Sequence, residues 1–322
     1  MTGEARLPGT AARWRGRQYH YLSADSHVHP FLADLWAEVR DRTSGQLDVT
    51  VHAGNEGLPG SHLEIVQRLI DGDIEFYVLM GGILGPLVPP FEIQGLPFAF
   101  IDHARAHAAL AGALGDYLRA ELLAKGIYAV PDGLLENGFR HISTVGRPIT
   151  AVDDLASLKI RIPEGHMFED AFASLGARPV QVNILKLYQA LADGSVDGQE
   201  NPLAVTEALK LDEVTKYVSL TSHMWSGFNL LASARFWRVL PAAIQAIVQG
   251  STARHVARQR AHTDALNREL EMRLAERGMT VLRPDRAGFR ARLIESGFYR
   301  RWKTALGATA WRLLEASVGK LV

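Results

Sequence analysis

Apolar and polar positions alternate along this chain with two periods, and the period switches repeatedly. Residues 18–23 read as a short strand. Phe31, Leu32, Leu35, Trp36 and Val39 then recur at helical spacing, which predicts a helix from Pro30 to Thr43. Leu47, Val49 and Val51 alternate as a half-buried strand does, and Leu63, Ile65, Val66, Leu69 and Ile70 restore the helical period. A strand over 74–80, a helical region over 103–125 and a strand over 127–130 follow. This β-α-β-α-β order predicts a mostly parallel sheet wrapped by helices.

A second block opens at Gly138. It holds a strand at 158–162, a helix at 166–175, an amphipathic helix at 184–192, and a further helix whose start is marked by Pro202. Phe228 to Ser233 reads as a strand. Residues 241–278 form one long helical stretch, which at ~35 residues would run ~50 Å. A short strand at 279–282 and a helical remainder complete the chain. The pattern predicts two α/β lobes. The first comprises 19–138 plus about 227–266, the second 139–226 plus about 267–322, with 1–18 as a disordered lead-in.

A length of 322 residues suits two such cores better than one. Lys plus Arg and Asp plus Glu are equal at 35 each, which gives nucleic acid no reason to bind. No cysteine occurs, so disulfides, thiolate metal sites and cysteine nucleophiles are excluded. No run reaches the ~18 apolar residues of a membrane span. The first 18 residues are polar and lack the apolar core of a signal peptide.

Four groups of residues could carry chemistry. His27 and His29, in Asp25-Ser26-His27-Val28-His29-Pro30, would point the same way on a strand end and could share a metal, as in amidohydrolases. The other reading is two loop histidines before a helix, because the later ligands of a barrel hydrolase are missing. Arg161 alternates with Ile160 and Ile162 in a strand ended by Pro163. It is either part of a solvated strand face or a guanidinium placed at a strand end to grip a carboxylate with its planar fork. Arg140, in Glu136-Asn137-Gly138-Phe139-Arg140-His141, has the same two readings. Asn201 precedes Pro202 and is either a helix N-cap, an amide offered to an anion, or both. No nucleophile elbow, dinucleotide fingerprint or Walker sequence is present.

The run Val196-Asp197-Gly198-Gln199-Glu200-Asn201-Pro202 resembles the signature of the DctP-type solute receptors of TRAP (tripartite ATP-independent periplasmic) transporters. Gly95-Leu96-Pro97-Phe98, the Glu136–His141 run, Leu158-Lys159-Ile160-Arg161-Ile162-Pro163, Tyr188-Gln189-Ala190-Leu191, Thr221-Ser222-His223 and Val239-Leu240-Pro241 match the family's other pieces in order, over about residues 19–300. The resemblance implies a two-lobe periplasmic-binding-protein-like (type II) fold with a long helix spanning both lobes, and capture of a small organic carboxylate in an interlobe cleft. It implies delivery to TRAP membrane subunits, a periplasmic monomer, no cofactor, no metal and no catalysis. The carboxylate-binding arginine falls on Arg161, the second arginine on Arg140 and the asparagine on Asn201. Met80, Ile184 and Trp225 complete the implied ligand set. Met80 and Ile184 replace residues that are polar or aromatic in some members, and Lys186 stands where many have Glu. The non-carboxylate end of the pocket is therefore expected to be more apolar. A sensor component would share fold and ligand.

Overall fold

The computed structural model describes residues 13–321. In chain order the first elements are β1 (Trp14–His20), α1 (His29–Arg42), β2 (Leu47–His52), α2 (His62–Asp71), β3 (Phe76–Met80), α3 (His103–Ala111), α4 (Ala113–Ala124) and β4 (Ile127–Thr144). Next come β5 (Lys159–Ile162), α5 (His166–Ser174), β6 (Arg178–Gln181), α6 (Leu187–Ala192), β7 (Gly198–Asn201), α7 (Leu203–Ala208) and β8 (Tyr217–Ser233). The chain ends with α8 (Ala234–Val239), α9 (Ala242–Glu276), β9 (Thr280–Leu282), α10 (Arg286–Glu295), α11 (Phe298–Leu306) and α12 (Ala308–Val318).

Contacts group these into two units. Among the described residues, one takes 13–80 with 119–136 and 228–262; the other takes 81–118, 137–227 and 263–321. The lobes expected from the sequence placed 81–118 with the first; by contacts this segment groups with the second. The proposed 1–18 lead-in lies outside the described residues as far as 12. From Trp14 it is strand, with Arg15 and Arg17 exposed and Gly16 and Gln18 buried.

In the first unit β1 pairs in parallel with β2 and β3, and β3 pairs antiparallel with the end of β8. Leu32, Leu35, Trp36 and Val39 of α1 cover the sheet, and the Trp36 ring lies 4.4 Å from that of Phe76. Ser61 opens α2 with a capping box to Glu64, and Gly72 closes it at φ 86, a left-handed position that only glycine adopts cheaply. Residues from the first half of α9 tie this unit together. Ser251, Arg254 and His255 all donate to Glu38 on α1, while Gln259 Nε2 and Oε1 bond the main chain of Glu136 at 2.7 and 2.8 Å.

In the second unit β7 lies between antiparallel β4 and parallel β5, with β6 outside β5. Leu187, Ala190, Leu191, Val196 and Leu211 form one core; Leu203, Val218, Met279 and, from the second half of α9, Leu270 and Leu274 form another. Each such buried leucine contributes ~2 kcal/mol through removal from water.

Several expected elements differ. The strand expected at 127–130 runs on to Thr144 as one strand, β4, across the expected block boundary at Gly138. Pro131, Gly133 and Gly138 look like breakers, but the ladder bends through them, with Asp132 at φ 57 and Gly138 at φ 122. The 228–233 strand likewise begins at Tyr217. Residues 184–192 are a 3-10 turn followed by the short α6. His29 is the first residue of α1, so His27 and His29 do not sit on a strand end. His29 Nδ1 and His20 Nε2 share a hydrogen bond of 2.9 Å. Among the described residues no group of three or more His, Asp or Glu side chains is placed to hold a metal ion.

Two buried histidines make stability depend on pH. Burial, with the neighbouring His29 charge, lowers the pKa of His20 to about 4, and burial lowers His27 to about 4. The unfolded rings take up protons near 6.5 while the folded ones do not, so stability falls as pH drops from about 6.5 to about 4. Each ring contributes up to ~1.4 kcal/mol per pH unit. Glu92 acts oppositely. It is 4% exposed, and burial raises it to about 7. Its share of stability is present below about 4.5 and is lost as pH rises through 7. Urea midpoints should therefore drop from pH 6.5 to 5, and Glu92→Gln should steepen that drop. Midpoints that stay flat would contradict the buried-histidine account.

Candidate ligand-binding site

The site is built around β7. Gly198 starts it because a Cβ there would lie 2.6 Å from the Ser143 carbonyl oxygen on β4 and 3.1 Å from Ile160 on β5. Two backbones can approach this closely only over a glycine. Gly198→Ala is expected to force β4 and β7 apart at a cost of roughly 1–3 kcal/mol. A urea-unfolding midpoint equal to wild type would contradict this.

Glu200 follows, fully buried at 0% exposure. Such a carboxylate needs a cation, and Arg140 of β4 supplies it. Arg140 Nε donates to Glu200 Oε2, and Nη2 donates to Glu200 Oε1 at 2.6 Å, to the Glu200 carbonyl at 2.8 Å and to Asn201 Oδ1 at 3.0 Å. His223 of β8 adds a third partner, its Nε2 lying 3.2 Å from Glu200 Oε2 and its Nδ1 2.8 Å from Thr221 Oγ1. Burial opposes the Glu200 charge, but Arg140 and His223 outweigh it and hold the carboxyl below its ordinary value. Burial likewise pushes His223 below its ordinary value. Nε2–H donates to the Glu200 carboxylate, which can only accept, and Nδ1 meets the Thr221 hydroxyl. Phe168 of α5 packs 5.2 Å from the Arg140 guanidinium carbon, and Phe172 meets the His223 ring edge-on at 5.3 Å.

Asn201 is the last residue of β7. Its Oδ1 accepts from Arg140 and its Nδ2 donates to Gln199 Oε1 at 2.6 Å. It does not cap α7. Pro202 holds the N-cap position with no side-chain bond, because the Asn201 amide is engaged within the strand layer.

Arg161 pairs in register with Gln199 and is 2% exposed, which disposes of the solvated-face reading. Both faces of β5 are covered there. Its Nε donates to the Val182 carbonyl at 2.8 Å, which fixes the plane of the guanidinium. Ile184 lies two residues beyond Val182, half-buried against the Leu187–Leu191 core. Trp225 is 1% exposed and packs edge-on to Phe100 at 6.0 Å and to His107 at 5.9 Å. Met80 belongs to the first unit, where it pairs with Phe228 at the end of β3. Arg140, Asn201 and Arg161 are thus on neighbouring strands, linked through Gln199.

Sequence reasoning missed Glu200, His223, Phe168 and Glu92. A glutamate inside a strand that no water reaches must have a cation, so Glu200 could have been matched to Arg140. Glu92 left no comparable signal. Its Oε2 accepts the Met167 amide at 2.9 Å in the first turn of α5, and a Cβ on Gly85 would collide with its carboxylate.

The chain matches the family of bacterial extracellular solute-binding proteins, family 7 (DctP), over residues 19–297. Among curated proteins, an uncharacterized protein y4mM of Sinorhizobium fredii is 38% identical over 195 residues, 61% of this chain and 35% of its own length. The C4-dicarboxylate-binding periplasmic protein DctP of Rhodobacter capsulatus is 33% identical over 210 residues, 63% of this chain and 60% of its own length. The alignments therefore span about a third and three fifths of these two relatives. Among solved structures, the sugar acid binding protein DctPAm of Advenella mimigardefordensis in complex with galactonate superposes with a TM-score of 0.89 at 25% identity, covering 97% of this chain and 100% of that one. The fold is the two-lobe type of transporter solute-binding proteins and not that of an enzyme, which overturns the amidohydrolase alternative for His27 and His29. The chain belongs to the DctP family of bacterial extracellular solute-binding proteins.

Proposed function

We propose that this protein is a periplasmic receptor that captures one small organic carboxylate and delivers it to the membrane subunits of a TRAP transporter. It works as a monomer, without nucleic acid, and the membrane subunits supply the energy of transport. The observation that carries this reading is Arg161. It is buried beside the family's signature strand and locked in plane by Val182. A planar guanidinium held in that way suits two parallel charge-assisted bonds to a carboxylate. Arg140 differs, because its Nε and Nη2 already serve Glu200 and Asn201. It acts by holding the Asn201 amide in place. Relatives that bind C4-dicarboxylates and galactonate support an organic acid as ligand.

Proteoliposomes holding the cognate TRAP membrane subunits should import the acid only when this chain is supplied outside. Import at the same rate without it would contradict the delivery role.

A further inference from the structure

Along a strand successive side chains turn to opposite faces of the sheet. Arg140 of β4 turns to Glu200, so His141, the next residue, turns to the other face. There it lines a cavity of about 390 Å³, whose residues all belong to the second unit. That volume lies within the range of small-molecule pockets. Arg161, Arg140 and Asn201 are not part of its lining.

The cavity has an apolar side. Leu203 and the partly buried Leu220 belong to the core that also holds Leu270 and Leu274 of α9. The Phe139 ring lies beside them in the lining and meets the His103 ring edge-on at 4.9 Å.

Its charges leave one cation over. Asp264 pairs with Arg268 at 2.5 Å and Glu271 pairs with Arg283, so these four meet each other within the wall. Arg286, the first residue of α10, lines the same cavity and is exposed. No carboxylate among the described residues is paired with it, and the neighbouring Asp285 is engaged with the Ala287 amide at 3.0 Å.

His141 supplies a donor. Its Nδ1 accepts the Ser222 amide at 3.2 Å, so in the neutral ring the proton lies on Nε2. Burial, with His223, Arg286 and His103 near it, lowers its pKa to about 3 and keeps the ring neutral at pH 7. Ser222 meets the ring from a φ of 44, a left-handed backbone that strains a serine. Such strain gathers where a group must be held in one orientation.

We propose that this cavity is a second ligand site, which takes a small monocarboxylate with an apolar or aromatic body. The carboxylate lies against Arg286 and the His141 Nε2–H, and the body lies on Phe139, Leu203 and Leu220. One uncompensated cation suits one negative charge. A second carboxylate would meet no free cation, only Asp264 and Glu271, and would stay unpaired. The site goes beyond the receptor reading above and does not need it.

Benzoate, benzamide, succinate and inorganic phosphate are the probes, and the full chain with ¹³C-labelled histidine is the reporter. At pH 7 benzoate should shift the His141 ring resonances saturably, with a dissociation constant of about 1 mM or below. Benzamide lacks the charge, succinate carries one too many and phosphate lacks the apolar body, so each should bind there at least about tenfold more weakly. Arg286→Gln alters an exposed position and should weaken benzoate about tenfold by the same readout. Arg161→Ala should leave the benzoate titration of His141 within about twofold of wild type, which separates this site from the one that holds Arg161. The proposal is overturned if benzoate does not shift His141 saturably, if benzamide or succinate matches it, if Arg286→Gln binds benzoate as the wild type does, or if the shift depends on Arg161. Phosphate bound as tightly as benzoate would mean an adventitious ion only and would overturn it too. None of these failures touches the receptor reading, because Arg161 takes no part in this cavity.

Discussion

Arg161→Ala is expected to weaken binding of the acid by about 30-fold to several thousand-fold, the equivalent of ~2–5 kcal/mol for removing one partner of a buried charge pair. The effect on folding should be smaller. The side chain's Nε bond to the Val182 carbonyl has a neutral acceptor, and losing such a bond costs ~1–3 kcal/mol. Arg161→Lys should fail nearly as badly, because an ammonium is a point charge and cannot reproduce the fork. Calorimetry measures both variants against wild type. Near-normal affinity in either would remove Arg161 from the site.

Glu200→Ala should act in the opposite sense, on the fold before the ligand. Arg140 is 2% exposed and would lose both carboxylate bonds at once, and His223 would lose the acceptor of its Nε2 proton. Breaking one side of a buried pair costs ~3–5 kcal/mol, because the other charge stays behind without compensation. Removing both sides should cost less. An Arg140→Met, Glu200→Leu double variant is expected to recover much of the loss, since apolar groups of similar volume carry no desolvation penalty. Chemical denaturation of Arg140→Met, Glu200→Leu and the double variant gives the coupling. A Glu200→Ala protein within about 1 kcal/mol of wild type would show that the network is not what holds β4 to β7.

The layout of the chain was legible where the residues report on their own surroundings. The helical stripe of Leu32, Leu35, Trp36 and Val39 is the buried face of α1, and the long polar stretch after Pro241 is the 35-residue α9. Arg161 was legible because apolar neighbours on both sides and a terminating Pro163 mark a strand end. What stayed hidden depends on residues far apart in sequence. Arg140 and Glu200 are 60 positions apart and meet only because β4 and β7 pair in one register, His141 with Asn201. Asn201 looked like a cap because Pro202 follows it, but the choice between capping and bonding Arg140 is made by that same pairing. The break at Gly138 was misplaced for a related reason. A glycine at φ 122 ends a strand in isolation, yet continues one when a neighbouring strand supplies the ladder.

The receptor reading stands most directly on thermal unfolding of the purified chain against a panel of small organic acids at millimolar concentration. An acid bound at its site, present at ~100 times its dissociation constant, stabilises the native state by about 2.7 kcal/mol and raises the melting temperature accordingly. The expected result is a clear rise with one or a few structurally related carboxylates, absent with their amides and absent in Arg161→Ala. A panel in which no carboxylate raises the melting temperature, or in which the rise persists undiminished in Arg161→Ala, would contradict it.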